Sequence, residues 1–313
     1  MNIYKKILKK LQDNQNIYLL TVVENIGSSP GRQGFKMFVS EDGTISGSIG
    51  GGIMEYQFVE KVKKDLQTNH LEVLFKRQIH QGKAKKNSSG MICSGEQTVV
   101  FHPLNSSDII TIKNIIDCLD NNKKGTLELN QEGLFFSETI LENQFEFQNK
   151  EKWTFKEQIG YKEIFYIIGG GHVGLATSQI MHYLGFYVVI FDNRKNLNTL
   201  EQNNFAHEKH VVDYQEINKH IEPSNFVAIM TSKFIDDKYI LSQIINKKHR
   251  FLGVLGSKVK IKTMFSALQD EGFSKEQLDQ VFAPIGYPIK SQTPEEIAIS
   301  IGAQVVNVKN EKI

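Results

Sequence analysis

The sequence lacks the features of secreted and membrane proteins. Its 313 residues include only two cysteines, Cys93 and Cys118, so no disulfide framework is expected and a reducing cytoplasm is the predicted location. No uncharged apolar run approaches the roughly 20 residues that a membrane helix needs. The N-terminus begins an amphipathic pattern rather than the apolar core of a signal peptide. We therefore expect no membrane association.

Strong charge of either sign is also lacking. The 37 basic and 35 acidic residues leave a formal net charge of +2, which argues against nucleic acid as a partner. The chain has no Cys-x-x-Cys pair and no paired histidines at ligand spacing, so we predict no metal site. With 40% hydrophobic and 23% charged residues, the composition is that of a globular protein, and the length suggests about two domains.

The order of predicted elements divides the chain into three parts. Residues 1–105 mix helices and short strands, and residues 106–160, which include a polar stretch at 142–152, are predicted to be a connecting segment. From 161 to 313, continuous apolar strands alternate with helices, a pattern typical of a parallel sheet covered on both faces. The predicted fold class is α/β, with an N-terminal α+β domain followed by a Rossmann-like parallel-sheet domain.

A glycine fingerprint opens the second domain. Residues 169–174 satisfy G-x-G-x-x-G directly after a predicted strand, and Asp192 ends the next strand, 23 residues after Gly169. Gly169 permits the tight turn, Gly171 lets backbone N–H groups approach an anion, and Gly174 allows close helix–strand packing. The helix start would hold a phosphate, while Asp192 would accept a hydrogen bond from a ribose hydroxyl. The alternative is that the glycines serve packing alone, with no dinucleotide bound.

Two further glycine-rich clusters, at 27–34 and 46–55, mark the first domain. Their candidate cofactor-binding residues are Ser28, Arg32, Gly47, Ser48, Gly50, Gly51, Gly52 and Glu55. Because the second cluster ends at a predicted helix, its amides and the Ser48 hydroxyl could wrap a phosphate that Arg32 also clamps. Three successive glycines suggest positive φ or close approach of another molecule, with a tight strand-to-helix crossover as the equal alternative. No Gly-Lys-Ser/Thr ends the loop, so it is not a P-loop.

The two cysteines receive different interpretations. Cys93 lies in a glycine-bracketed loop, residues 90–95, where a thiol could reach a cofactor, a metal or a sulfur donor. An inert thiol is the alternative. Cys118 lies within a predicted helix and is expected to serve packing.

Taken together, these motifs resemble those of the xanthine dehydrogenase accessory factor family, also called XdhC/CoxI. In the first half the resemblance rests on residues 27–30, 34–37 and 47–55, and on Cys93-Ser94-Gly95, which is similar to a Cys-Gly-Gly loop of the family. In the second half it rests on residues 168–174, 191–194, 253–258, 283–286 and 293–301. The chain departs from the family in having Ser232 where a histidine is frequent, and Lys258 and Lys260 where arginines are common.

The resemblance implies a maturation factor (chaperone) rather than an enzyme. Such a protein would bind molybdenum cofactor (molybdopterin) transiently and assist its sulfuration with a cysteine desulfurase. It would then insert the cofactor into an apo molybdenum hydroxylase of the xanthine dehydrogenase type. Family members are expected to be homodimers, and Cys93 is the candidate contact to the cofactor or its sulfur.

Other functions remain open from the residues alone. Asp192 and the fingerprint before it fit an NAD(P)-dependent oxidoreductase, although no Tyr-x-x-x-Lys or other acid–base constellation accompanies them. The chain could instead be an adaptor that bridges an enzyme and its sulfur donor and holds no cofactor. A nucleotidyltransferase is disfavoured, since no acidic metal-binding pair lies in a suitable loop.

Overall fold

The chain divides into two compact units, Met1–Gly160 and Tyr161–Ile313. The computed structural model describes residues 3–79, 95–148, 152–161 and 163–311. None of the helices in these ranges is both long enough and apolar enough to cross a lipid bilayer.

The first unit is built from two antiparallel sheets and three α-helices in the described ranges, with a short 3-10 helix (Ser106–Asp108) before the third. Its elements are α1 (Ile3–Gln12), β1 (Ile17–Gly27), β2 (Lys36–Ser40), β3 (Ile45–Gly47), α2 (Gly52–Gln67), β4 (Leu74–Ile79), β5 (Gly95–Leu104), α3 (Ile109–Asp120), β6 (Gly125–Asn130), β7 (Leu134–Ser137), β8 (Phe145–Gln148) and β9 (Thr154–Ile159). One sheet has the strand order β3-β2-β1-β5-β4, and the other has the order β7-β6-β9-β8.

The central strand β1 is buried on both faces, which explains its continuous apolar run. Successive side chains of a strand point to opposite faces. Ile17 and Leu19 therefore join one core, with α1, α3 and the second sheet, while Tyr18 and Leu20 join the other, beneath α2. The helix α2 presents its apolar side to this second core through residues that recur every four positions.

Residues 106–160, predicted as a connecting segment, form α3 and the four-stranded sheet. Ile115, Leu127 and Phe155 are buried in the same core as Ile7 and Leu11 at the start of the chain. The polar stretch at 142–152 contains β8, whose side chains are only half-buried or exposed. This part of the chain therefore belongs to the first unit, and the chain passes to the second unit at Gly160.

The second unit has a five-stranded parallel sheet in the order β12-β11-β10-β13-β14. Its elements are β10 (Ile164–Ile168), α4 (His172–Tyr183), β11 (Tyr187–Asp192), α5 (Asn198–Glu201), β12 (Glu208–Val211), α6 (Ile217–His220), β13 (Phe226–Ile229), α7 (Phe234–Ile244), β14 (Phe251–Val254), α8 (Lys258–Asp270), α9 (Lys275–Asp279) and α10 (Pro294–Asn310). Apolar cores lie on both faces of the sheet. The predicted fold class, with an α+β first part and a Rossmann-like second part, is confirmed.

The strand order of this sheet locates a ligand crevice. The chain adds strands on one side of β10 and then crosses to the other side, to β13. In open parallel sheets, ligands bind outside the carboxyl ends of the strands at such a reversal. The carboxyl ends of β10 and β13 are in direct contact, because a Cβ on Gly169 would overlap with the Met230 carbonyl oxygen. The fingerprint glycines are therefore at the crevice.

Candidate functional site

The fingerprint glycines divide into two that pack and one that faces an open site. Gly169 has a φ of 122°, and its N–H donates to the Phe191 carbonyl at 2.8 Å. A Cβ on Gly174 would overlap with the Gly169 carbonyl oxygen, so this glycine lets α4 approach the turn. At Gly171, the one described atom within 4 Å of an added Cβ would be Nη2 of Arg194, at 4.0 Å.

The N-terminus of α4 keeps its backbone donors available. Gly171 is the residue that caps this helix, and it has no side chain to accept a hydrogen bond from the first turn. None of the side chains in the described ranges caps the helix in its place. The free N–H groups and the helix dipole favour an anion at this position.

The acid of the fingerprint, Asp192, is fully buried and already hydrogen-bonded. Oδ1 accepts from the backbone N–H and Nε of Arg194 at 2.9 and 2.8 Å. Oδ2 accepts from the Gly170 N–H at 2.7 Å and from Arg194 Nη2 at 2.8 Å. Burial by itself would raise the pKa of Asp192, but the hydrogen bonds from Arg194 and Gly170 outweigh it and hold the pKa below its ordinary value. Asp192 is therefore a carboxylate whose charge Arg194 balances.

Arg194 supplies a cationic group to this site, and it is not among the residues predicted from the sequence to bind a ligand. Its side chain is 43% exposed although its partner is fully buried. The signal was its position, two residues after the strand end that carries Asp192. The site therefore presents a guanidinium to solvent where an exposed carboxylate was expected.

A second buried ion pair lies beyond the ends of β13 and β14. Asp237 is fully buried and accepts from the Thr231 hydroxyl at 2.6 Å and the Thr231 N–H at 3.0 Å. Lys260 donates to the Asp237 carboxylate and, at 3.1 Å, to the Leu255 carbonyl. Burial raises the pKa of Asp237, and the bonds from Lys260 and Thr231 offset only part of that rise. Lys260, noted as a departure from the family, thus neutralises a buried carboxylate.

In the first unit, the three successive glycines all adopt positive φ. Gly50, Gly51 and Gly52 have φ values of 129°, 72° and 74°, which residues other than glycine rarely adopt. The expectation of positive-φ geometry is confirmed. The same segment is a strand-to-helix crossover, since it joins β3 to α2.

The amides of this loop are occupied by a carboxylate of the chain itself. Glu55 Oε2 accepts from the N–H groups of Ile49 at 2.8 Å and Gly51 at 3.0 Å, and from the Ser48 hydroxyl at 2.8 Å. The Gly50 N–H donates to the Ser48 oxygen at 3.2 Å. A phosphate that approached these donors would meet the negative charge of Glu55.

The two glycine-rich clusters of the first unit meet each other. Gln97 joins them, because its Oε1 accepts from the Gly31 N–H at 3.0 Å and its Nε2 donates to the Ile49 carbonyl at 3.2 Å. A Cβ on Gly50 would lie 2.8 Å from the Gly31 nitrogen, so the backbones are in contact. Gly95, at the start of β5, packs under the turn at Ser28. Gln97 lies far from both clusters along the chain, and no local sequence pattern marks it as their link.

An open groove borders these clusters within the first unit. Its volume is about 580 Å³, and its lining includes Gly47 and Ser48 on one side and Gln144 on another. Lys36 and Glu157, which form an ion pair, also line it. A cavity of this size falls within the range of small-molecule sites.

The remaining candidates take different positions. Ser28 and Arg32 are exposed, whereas Cys118 is buried and burial raises its pKa. Cys93 lies outside the described residues. Within the described ranges, no three His, Cys, Asp or Glu side chains lie close enough together to share a metal ion.

Each unit contains residues that match a model of a known protein family. A family model described as the XdhC Rossmann domain matches residues 165–305, and one described as the XdhC and CoxI family matches residues 11–75. The chain is 26% identical to the uncharacterized protein YqeB of Escherichia coli strain K12 over 99% of its length and 47% of YqeB, so it spans about half of that relative.

Two further relatives are similar over nearly their full lengths. A protein of Bacillus subtilis strain 168, named as a probable xanthine dehydrogenase subunit, is 20% identical, over 96% of this chain and 95% of that protein. A crystal structure described as a xanthine dehydrogenase from Bacillus halodurans is 26% identical, with a TM-score of 0.72 over 99% of this chain and 96% of that chain.

Proposed function

We propose, from the premise that the chain belongs to the XdhC and CoxI family, that it is an accessory protein of a xanthine dehydrogenase-type molybdenum hydroxylase. Its cargo would be molybdenum cofactor, which it would bind transiently, help to sulfurate together with a cysteine desulfurase, and deliver to the apo-enzyme. The family and the relatives named as xanthine dehydrogenases support the association with that enzyme. A cytoplasmic homodimer is the form we propose.

One observation carries the binding part of this proposal. The uncapped N-terminus of α4 lies beside the exposed guanidinium of Arg194, with space at Gly171 for a ligand. The molybdopterin cargo carries a phosphate, and backbone N–H groups together with a guanidinium are suitable donors for it. The residues present therefore fit the phosphate end of the cargo in the second unit, where Gly169 and Gly174 shape the turn and Arg194 supplies the charge.

The first unit offers a separate candidate site of its own. Glu55 occupies the donors of the glycine loop, so a phosphate is disfavoured there. A pterin ring carries N–H groups that can donate hydrogen bonds to a carboxylate, and Glu157 lines the open groove beside Gly47 and Ser48. We assign this groove, within the first unit alone, as an alternative site for a pterin ring. Cys93, two residues before Gly95 in the chain, remains the proposed contact to the metal or its sulfur.

The experiment compares two substitutions at Gly171 in protein co-expressed with cofactor biosynthesis. Gly171 has a φ of −68°, which any residue can adopt, and open space for a side chain. Gly171→Asp places a negative charge at the phosphate position, whereas Gly171→Ala adds a small side chain with neither a charge nor a hydrogen-bond acceptor. We expect the wild type and the Ala variant to retain molybdenum and pterin, measured by elemental analysis and by fluorescence of the oxidised pterin. The Asp variant should lose both.

The competing functions give different results. A wild-type protein that retains no pterin but captures both the hydroxylase and the desulfurase would be an adaptor, and the proposal would be wrong. Retention that is equal in the Asp and Ala variants would remove the α4 site from the proposal. Turnover with NAD(P) and a substrate would support the oxidoreductase instead.

A further inference from the structure

We infer that the glycine loop of the second unit recognises a phosphate monoester through Arg194 and discriminates against a ribose diol. The residue at the end of the second strand of a Rossmann unit usually accepts hydrogen bonds from ribose hydroxyls. Asp192 is at that position in this chain, but its side chain is buried, and the exposed group that could face a ligand is the guanidinium of Arg194. The selectivity rests on the proposed function, because both place the ligand at the N-terminus of α4.

The acceptor capacity of Asp192 is fully used inside the protein. A carboxylate offers about four lone-pair sites. Each oxygen of Asp192 accepts two hydrogen bonds, three in all from Arg194 and one from Gly170, and the side chain has no exposed surface. A ribose hydroxyl could bind only by displacing one of these donors, which would leave that donor without its charged partner.

Arg194 has donors left for a ligand. A guanidinium has five N–H groups, and Asp192 takes one from Nε and one from Nη2. The bidentate pairing fixes the plane of the group, so its remaining N–H groups are held in place rather than free to rotate. Nη2 lies beside Gly171, where the helix offers further N–H groups. These N–H donors suit the oxygens of a phosphate. They offer no strong acceptor for the hydroxyl protons of a ribose diol.

The test uses NADP⁺ and NAD⁺ as a matched pair of probes. They differ only in that NADP⁺ has a phosphate monoester where NAD⁺ has a ribose hydroxyl. By isothermal titration calorimetry at low ionic strength, we expect the wild-type protein to bind NADP⁺ at least about tenfold more tightly than NAD⁺, since hydrogen bonds to charged groups have this effect. Salt should weaken the NADP⁺ complex more than the NAD⁺ complex.

Three variants separate the role of Arg194 from general charge. Arg194→Gln should remove the preference for NADP⁺, whereas Lys195→Gln, which makes the same change of charge at an exposed neighbour, should keep it. Because Arg194→Gln leaves a buried carboxylate without its partner, the double variant Asp192→Asn/Arg194→Gln supplies a neutral pair, and it too should lose the preference. Thermal melting of each variant checks that it is folded.

The outcomes distinguish this inference from the proposed function. Equal affinity for the two probes, a preference for NAD⁺, binding of neither, or a preference that survives in the double variant would each overturn the inference. Pterin content, measured on the same co-expressed proteins, tests the carrier role separately. A wild type that retains pterin without preferring NADP⁺ would contradict only the inference. One that prefers NADP⁺ through Arg194 without retaining pterin would contradict only the proposed function.

Discussion

Replacing Lys260 with methionine should destabilise the protein by about 3 kcal/mol at neutral pH. The substitution removes the ammonium group that neutralises Asp237 and keeps an unbranched apolar stem of similar length. Removing one partner of a buried ion pair costs about 3–5 kcal/mol, because the other charge stays buried without compensation. The Lys260 side chain is 25% exposed, so water can approach the pair and the lower end of that range applies. The two bonds from Thr231 remain in the variant.

The destabilisation should depend on pH in a defined direction. Burial already raises the pKa of Asp237 in the folded protein, and the loss of Lys260 should raise it further. The folded variant then holds a proton that the unfolded chain has released. Between the unfolded and the folded pKa of Asp237, stability therefore falls as the pH rises. The difference between variant and wild type should be small in acid and reach its full size above the folded pKa.

Urea unfolding followed by far-UV circular dichroism at about pH 5 and about pH 8 measures both effects. A matched control is the double variant Asp237→Asn/Lys260→Met, which has no buried charge and should recover most of the lost stability at the higher pH. A loss below about 1 kcal/mol at both pH values would refute the reasoning. So would a double variant no more stable than Lys260→Met alone.

Three further predictions concern single residues. Burial lowers the pKa of His102 from 6.5 to about 4. The free energy of unfolding, measured in urea, should therefore fall by about 3 kcal/mol as the pH drops from 6.5 to about 4. If a His102→Gln variant showed the same fall, His102 would be excluded as its cause. Gly174→Ala should lower the free energy of unfolding by about 3 kcal/mol, because the added Cβ would overlap with the Gly169 carbonyl oxygen. Gly171→Ala, whose Cβ would lie in open space, is the control, and equal melting temperatures of the two variants would contradict the packing role of Gly174. Thr293→Ala should lower the free energy of unfolding by about 1 kcal/mol, because it removes the side chain that caps the N-terminus of α10. Thr293→Ser keeps a capping hydroxyl and should have the melting temperature of the wild type.

The sequence predicted best those features that depend on neighbours along the chain. The fingerprint at residues 169–174 and the helix after Gly52 are local patterns, and the structure confirms both of them. The family was identified because several such motifs occur together, and two family models confirm it.

Contacts between distant residues were not predictable in the same way. Asp237 and Lys260 belong to different helices, and nothing in either segment marks them as a pair. Gln97 reaches two loops that lie 48 and 66 residues away. The second sheet of the first unit lies in residues that were predicted as a connecting segment, because β8 and β9 are short and carry polar side chains on their half-buried faces.

The position of Glu55 has a consequence for the conformational entropy of the glycine loop in the first unit. Fixing the backbone of a residue costs about 1–2 kcal/mol of conformational entropy, and glycine loses the most. Here the Glu55 carboxylate orders the run of glycines through the Ile49 and Gly51 amides without any ligand. The loop is therefore already ordered before any ligand arrives, which would lower the entropic cost of binding in the proposed carrier role.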